Sequence, residues 1–302
     1  MAWNFANELE RYGPRAGDTR MSLAAARSYC ARVTRSHYEN FTVTSALLPR
    51  RLVPHFNAVY AYCRWADDLA DETGDNALTL LKWWRDELQI CYGGHPRHPV
   101  LIALKETIRR FAIPAEPFLN LLMAFVQDQR VKEYDTFEQL LGYCRNSANP
   151  VGHLVLCLFE CYDPERAALA DEICTGLQLA NFWQDVARDL AIGRVYLPKE
   201  DRDRFGYSSR DLVSKTSNTA FVELMKFEVN RTREIFNRGE PLLARLPLRA
   251  RIDVDLFLSG GRAILDAIEQ QNYNVWAKRP VVSKTQKLTL FIKSICKNLA
   301  SR

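Results

Sequence analysis

The stretches YAYCRWADDLADE (Tyr60 to Glu72) and QLANFWQDVARD (Gln178 to Asp189) decide how this chain is read. Each sets two carboxylates four residues apart, Asp67 with Asp71 and Asp185 with Asp189. On a helix such pairs share a face, with Cβ atoms roughly 5–6 Å apart. Leu52, Phe56, Val59, Cys63 and Ala66 surround the first pair, and Leu177, Ala180, Trp183 and Val186 the second, so both stripes are expected on largely buried helices. Carboxylates there are costly unless paired or metal-bound. Tyr60 and Arg64 extend the first stripe upstream, with Asp67 or Asp68 as its next step; Gln178 and Asn181 extend the second. Two such stripes facing each other could hold hard divalent cations, and those cations a diphosphate. Mg²⁺ suits the pattern, because it takes oxygen ligands octahedrally at roughly 2.0–2.1 Å and shares them with phosphates. A solvated acidic face accounts for one stripe more readily than for two. Arg64 reads either as an ion-pair partner or as a diphosphate contact, and Arg188 as an ion-pair partner.

The same three-and-four periodicity continues along the chain, while period-2 alternation is nearly absent. The pattern predicts helices at 19–35, 50–72, 76–92, 97–112, 115–127, 136–148, 151–161, 164–191, 218–243, 248–274 and 285–300. Pro and Gly punctuate the joints, and Asp163-Pro164 reads as a cap followed by a first-turn proline. With no repeat and no linker-like tract, the expectation is one all-α domain over 1–302, with a core at about 30–275 and a basic tail at 278–302. Asn149-Pro150 interrupts a helical stretch, either as a simple turn or as a break bordering a cavity.

Apolar residues make up 47% and charged residues 25% of the 302, an ordinary globular composition. The net charge of +5 gathers in the tail, where Lys278, Arg279, Lys284, Lys287, Lys293, Lys297 and Arg302 meet no Asp or Glu. The remainder is close to neutral, which argues against nucleic acid as a partner. Eight cysteines without a CxxC pair fit a reducing cytoplasm better than a disulfide scaffold. No signal-peptide pattern and no run of roughly 18–20 apolar residues is found. In the tail, Leu288, Phe291 or Ile292, Ile295 and Leu299 recur at helical spacing between lysines. That pattern reads as a peripheral contact with an anionic membrane face, or as a terminal helix docked on the body.

Together these residues resemble the squalene/phytoene synthases, all-α enzymes of isoprenoid metabolism, over roughly 30 to 275. The resemblance rests on motifs in order: His37-Tyr38-Glu39-Asn40-Phe41, Tyr60 to Arg64 leading into Asp67 and Asp71, Gln178 to Asn181 leading into Asp185 and Asp189, and Gly193-Arg194-Val195-Tyr196-Leu197-Pro198. It implies the isoprenoid synthase fold, with helices around a central cavity and the two Asp-rich helices facing each other. It further implies Mg²⁺ at Asp67, Asp71, Asn181, Asp185 and Asp189, with Tyr60, Arg64 and Gln178 holding a prenyl diphosphate. His37 and Phe41 would lie beside the reacting end of the substrate, although His37 also reads as a helix-end histidine facing water. Phe41, Tyr60, Tyr143, Phe182 and Trp183 are candidates for lining a carbocation pocket, with ordinary core packing as the alternative for each.

Two departures point to a branch. Squalene and phytoene synthases mostly carry arginine directly before the first aspartate of the second motif, where this chain has Gln184, and a small-residue run where it reads Arg145 to Gly152. Both, with Glu39-Asn40-Phe41, resemble bacterial hydroxysqualene synthases of hopanoid pathways, which take presqualene diphosphate and release hydroxysqualene and diphosphate. That branch needs no NADPH, and no GxGxxG follows a strand here. Other squalene-pathway enzymes would be its partners. Asn149 or Ser147 is a candidate for aiming the final water. A synthase condensing two farnesyl or geranylgeranyl diphosphates is the alternative; a class I terpene cyclase and a non-enzymatic assembly factor on the same fold are more remote.

Overall fold

The computed structural model describes residues 3–17, 21–36 and 48–300, and its described residues form helices with no strand. Two units emerge from the packing. The first comprises residues 1–130 and 153–162; the second comprises 131–152 and 163–302.

The first unit contains α1 (Phe5–Tyr12), α2 (Leu23–Ser36), α3 (Val53–Asp71), α4 (Ala77–Gly93), α5 (Pro99–Phe111) and α6 (Glu116–Asp128). Its core is aromatic. Trp65 of α3 and Trp84 of α4 stack with centroids 5.5 Å apart, and the Trp65 indole N–H donates to the Tyr29 hydroxyl of α2 at 3.1 Å. His98 is buried edge-on to both tryptophans, and its Nδ1 accepts the Val100 N–H to cap α5. Burial holds its imidazole neutral, well below the usual histidine range.

The second unit contains α7 (Phe137–Ser147), the first turn of α8 (Asn149–Leu158), α9 (Pro164–Ala191), α10 (Lys199–Arg204), α11 (Ser209–Val213), α12 (Thr219–Gly239), α13 (Leu242–Arg245), α14 (Leu248–Gln270) and α15 (Lys284–Ala300). Helix α9 spans the residues its sequence predicts, because both ends are capped. Asp163 accepts the Arg166 N–H at 2.7 Å ahead of Pro164. At the other end Gly193 adopts φ +74°, its N–H bonds Leu190 O at 3.0 Å, and the Arg194 N–H bonds Asp189 O at 2.8 Å. That paired pattern is a Schellman cap, which favours glycine at the left-handed position. The 218–243 prediction ends early at Gly239, ahead of Pro241, and 248–274 ends at Gln270. Helices α1, α10 and α11 were not predicted.

The tail helix α15 packs on α14 through polar groups. The Asn298 amide donates to Asp255 at 3.1 Å, and Ser294 and Asn298 are buried, while Leu288 and Ile292 stand exposed. Among the described residues no helix is long and apolar enough to cross a membrane.

A buried ionic cluster ties α10, α12 and α7 together. Arg231 donates to Asp201 at 2.7 Å and Glu228 at 2.6 Å, and its guanidinium carbon lies 3.3 Å from the Phe137 ring centroid. One cation serves two carboxylates, and burial, partly opposed by Arg231, pushes Glu228 up to about 8. The folded state therefore holds a proton on Glu228 that the unfolded chain releases near the usual glutamate value. This contribution to stability is full below that value and is lost as pH rises toward about 8. The melting temperature of Glu228→Gln is thus expected to fall less between about pH 5 and 8 than that of the parent. Equal slopes for the two proteins would contradict a protonated Glu228.

Candidate active site

Helix α3 carries the first stripe. Arg64 donates to Asp67 at 2.9 Å and also binds Asp68. Asp68 is wholly buried and accepts the Trp3 indole N–H at 3.1 Å as well. This settles which neighbour belongs to packing: Asp68 is enclosed by two donors, whereas the Asp67 side chain is 37% exposed. Asp71, one turn on, is exposed, and Tyr60 is half-buried upstream. Arg64 takes the ion-pair geometry anticipated as one of its two readings.

Helix α9 carries the second stripe, with Gln178 and Asn181 half-buried and Asp185 buried. Asp185 meets a partner that the sequence did not announce. Arg279, in the segment between α14 and α15, donates from Nε to Oδ1 at 2.6 Å and from Nη2 to Oδ2 at 2.8 Å. Arg188 stands at 3.6 Å from Asp185 Oδ1, mostly in solvent. Gln184 accepts from Arg279 at 2.9 Å and donates to Pro280 O at 2.6 Å.

An aromatic wall stands beside this stripe. Phe182 and Tyr196 stack at 3.8 Å with an 11° tilt, and Tyr143 and Tyr134 complete the group at centroid distances of 5.7–6.1 Å. The Val195 N–H bonds Lys132 O at 2.7 Å, which holds the two loops bearing Tyr134 and Tyr196 together. Tyr143 and Phe182, candidates for a pocket lining or for core packing, are both buried in this stack. Tyr196 carries no signal beyond its place in the Gly193–Pro198 motif, and Tyr134 carries none because it lies outside any periodic run. Trp183 does not join them: it is buried and donates to Thr232 of α12 at 2.8 Å, which makes it core.

The Asn149-Pro150 break is a turn at Ala148 between α7 and α8. Asn149 is buried and accepts from Thr175 at 2.9 Å, and the Ser147 hydroxyl is buried without a hydrogen-bond partner. A Cβ on Gly152 would lie 2.8 Å from Cys174 Sγ, so glycine is what lets α8 approach α9 here. His37 and Phe41 lie outside the described residues.

Among the described residues no three His, Cys, Asp or Glu side chains converge into a ready-made metal cage. The donor set nonetheless suits a hard cation that shares its ligands with phosphate: each stripe offers carboxylate oxygens one turn apart, and at Asp185 a guanidinium already rests across both oxygens.

These features define an all-α protein with two carboxylate stripes, and the comparisons with known proteins agree. A family profile described as squalene/phytoene synthase matches residues 34–286, and the chain belongs to that family. It is 32% identical to a 15-cis-phytoene synthase of Synechocystis over 285 residues, which cover 88% of this chain and 83% of the relative. The crystal structure of squalene synthase HpnC from Alicyclobacillus acidocaldarius superposes with a TM-score of 0.81 at 43% identity, covering 85% of this chain and 98% of that one. A dehydrosqualene synthase in complex with ligand superposes with a TM-score of 0.83 at 26% identity, covering 93% and 98%.

Proposed function

We propose that this chain is a Mg²⁺-dependent isoprenoid synthase that converts presqualene diphosphate and water to hydroxysqualene and diphosphate. The observation that carries the reading is Gln184, a neutral and buried side chain placed directly before Asp185. The resemblance expects arginine there in most squalene and phytoene synthases, which condense two prenyl diphosphates.

The chemistry starts with heterolysis of the cyclopropylcarbinyl C–O bond. Mg²⁺ held by Asp67, Asp71, Asn181, Asp185 and Asp189 would neutralise charge developing on the departing diphosphate. Tyr60, Arg64 and Gln178 orient that group. The wall of Tyr134, Tyr143, Phe182 and Tyr196 keeps stray water from the rearranging cation, and each ring face offers roughly 0.5–2 kcal/mol to passing positive charge. Water then bonds to the rearranged carbon and loses a proton, so no hydride donor is consumed.

The phytoene synthases among its relatives favour a second reading, head-to-head condensation of two prenyl diphosphates. Mass spectrometry of products separates the two. Hydroxysqualene from presqualene diphosphate, with or without NADPH, is the expected result. A condensed product from farnesyl or geranylgeranyl diphosphate alone would overturn the branch assignment.

A further inference from the structure

We propose that Gln184 is a positioning residue that latches Arg279 onto Asp185, so that a divalent cation reaches the second stripe only when the 279–280 segment lets go. The inference rests on the metal-dependent reading above and adds an order of events to it.

Gln184 uses both ends of its amide on two consecutive residues. Its carbonyl oxygen accepts from Arg279 Nη2 at 2.9 Å, and its NH₂ donates to Pro280 O at 2.6 Å. Only this orientation works, because a guanidinium can only donate and a backbone carbonyl can only accept. Thus fixed, Arg279 presents its fork to Asp185 with Nε on Oδ1 at 2.6 Å and Nη2 on Oδ2 at 2.8 Å. The group is shielded, with side-chain exposures of 21% for Arg279 and 11% for Asp185. An arginine at 184 would have no acceptor to offer and would set a second positive charge beside Arg279. Gln184 and Arg279 are thus chemically matched.

The consequence is competition. The fork engages both oxygens of Asp185, and a hard cation needs at least one of them. Arginine and metal cannot hold the carboxylate in the same way at the same time. The segment is anchored on either side. Before it, Val275 is buried and Trp276 packs on Phe221 at 5.3 Å; after it, α15 docks on α14 through Asn298 and Asp255. Residues 277–283 are therefore where movement that frees Asp185 would be taken up.

Calorimetric titration of Mn²⁺ into the full chain, alone and with inorganic diphosphate, tests the latch. Arg279→Gln is expected to bind Mn²⁺ alone about tenfold or more tightly than the parent. Gln184→Met, which keeps the length of the side chain and removes both hydrogen bonds, should lie between them. Arg279→Lys, which keeps the charge without the fork, should do the same. Hydrogen exchange at 277–283 should rise in the parent when Mn²⁺ and diphosphate are added together, a response that a purely structural Gln184 would not give. Equal Mn²⁺ affinity in the parent and Arg279→Gln, with diphosphate-supported binding intact in both, would overturn the latch and leave the metal reading standing. No Mn²⁺ binding by any folded variant, even with diphosphate, would overturn both.

Discussion

Asp67→Ala is expected to lower turnover by about 10³-fold or more with little change in melting temperature, while Asp68→Ala should do the reverse damage to stability. The two residues are adjacent and chemically identical, so environment alone separates them. Asp68 is fully buried and is held by Arg64 and the Trp3 indole. Removing it leaves a half-buried guanidinium with one carboxylate fewer and takes the Asp68 acceptor from the Trp3 indole N–H, at a cost of about 1–3 kcal/mol. Asp67 has its side chain 37% exposed, and Arg64 keeps Asp68 when it is lost. On the proposed metal reading its worth lies in leaving-group ionisation, where a misplaced or missing cation would forfeit that stabilisation. Asp185→Ala should match Asp67→Ala in turnover and also lower the melting temperature, because it takes the carboxylate away from the shielded Arg279 fork. Product formation from presqualene diphosphate and thermal melting by circular dichroism, measured on all three variants, check the contrast. Near-parental turnover in Asp67→Ala or Asp185→Ala, with the fold intact, would sink the metal model.

The stripes were legible because they obey a local rule, the helical repeat, within a dozen residues each. Helix α9 matches its expected bounds; Asp163-Pro164 announces its start, while Gly193, which enters the sequence reading only within a motif, marks its end in the structure. The contact between Asp185 and Arg279 was not legible, because 94 residues separate the partners and neither carries a mark of the other. Short helices such as α10 and α11 offer too few turns for periodicity to rise above noise. The tail shows a different limit. Leu288, Phe291 or Ile292, Ile295 and Leu299 read as its apolar face, yet among the α15 residues whose burial is described Ser294 and Asn298 are the buried ones. A polar side chain docks as readily as an apolar one once a partner such as Asp255 satisfies it, and hydropathy along one helix cannot register that partner.

The second large effect concerns the packing that holds the second stripe in place. Gly176→Ala is expected to destabilise the protein by about 2 kcal/mol or more, although alanine is the better helix former by roughly 1 kcal/mol. The reason is the Phe236 ring of α12, which sits between Gly176 of α9 and Gly261 of α14. A Cβ at Gly176 would lie 2.6 Å from two ring atoms, and one at Gly261 would lie 2.6 Å from Cζ and 2.8 Å from Leu177 Cδ2. The ring is confined on both sides, so it cannot retreat from one new methyl without striking the opposite helix. The strain has to pass into the backbone of α9, two residues before Gln178, and turnover should fall along with stability. Gly142 of α7 supplies the control, because a Cβ there would meet nothing nearer than the flexible Arg145 Nη1 at 4.0 Å. Gly142→Ala should therefore stabilise the chain by about 0.5–1 kcal/mol through helix propensity alone. Urea unfolding of the two variants should give shifts of opposite sign. Pairing Gly176→Ala with Phe236→Leu should recover part of the loss, because the smaller side chain vacates the space the new methyl needs. If Gly176→Ala matched the parent in stability, the three helices would have to be packed less closely around Phe236 than these distances require.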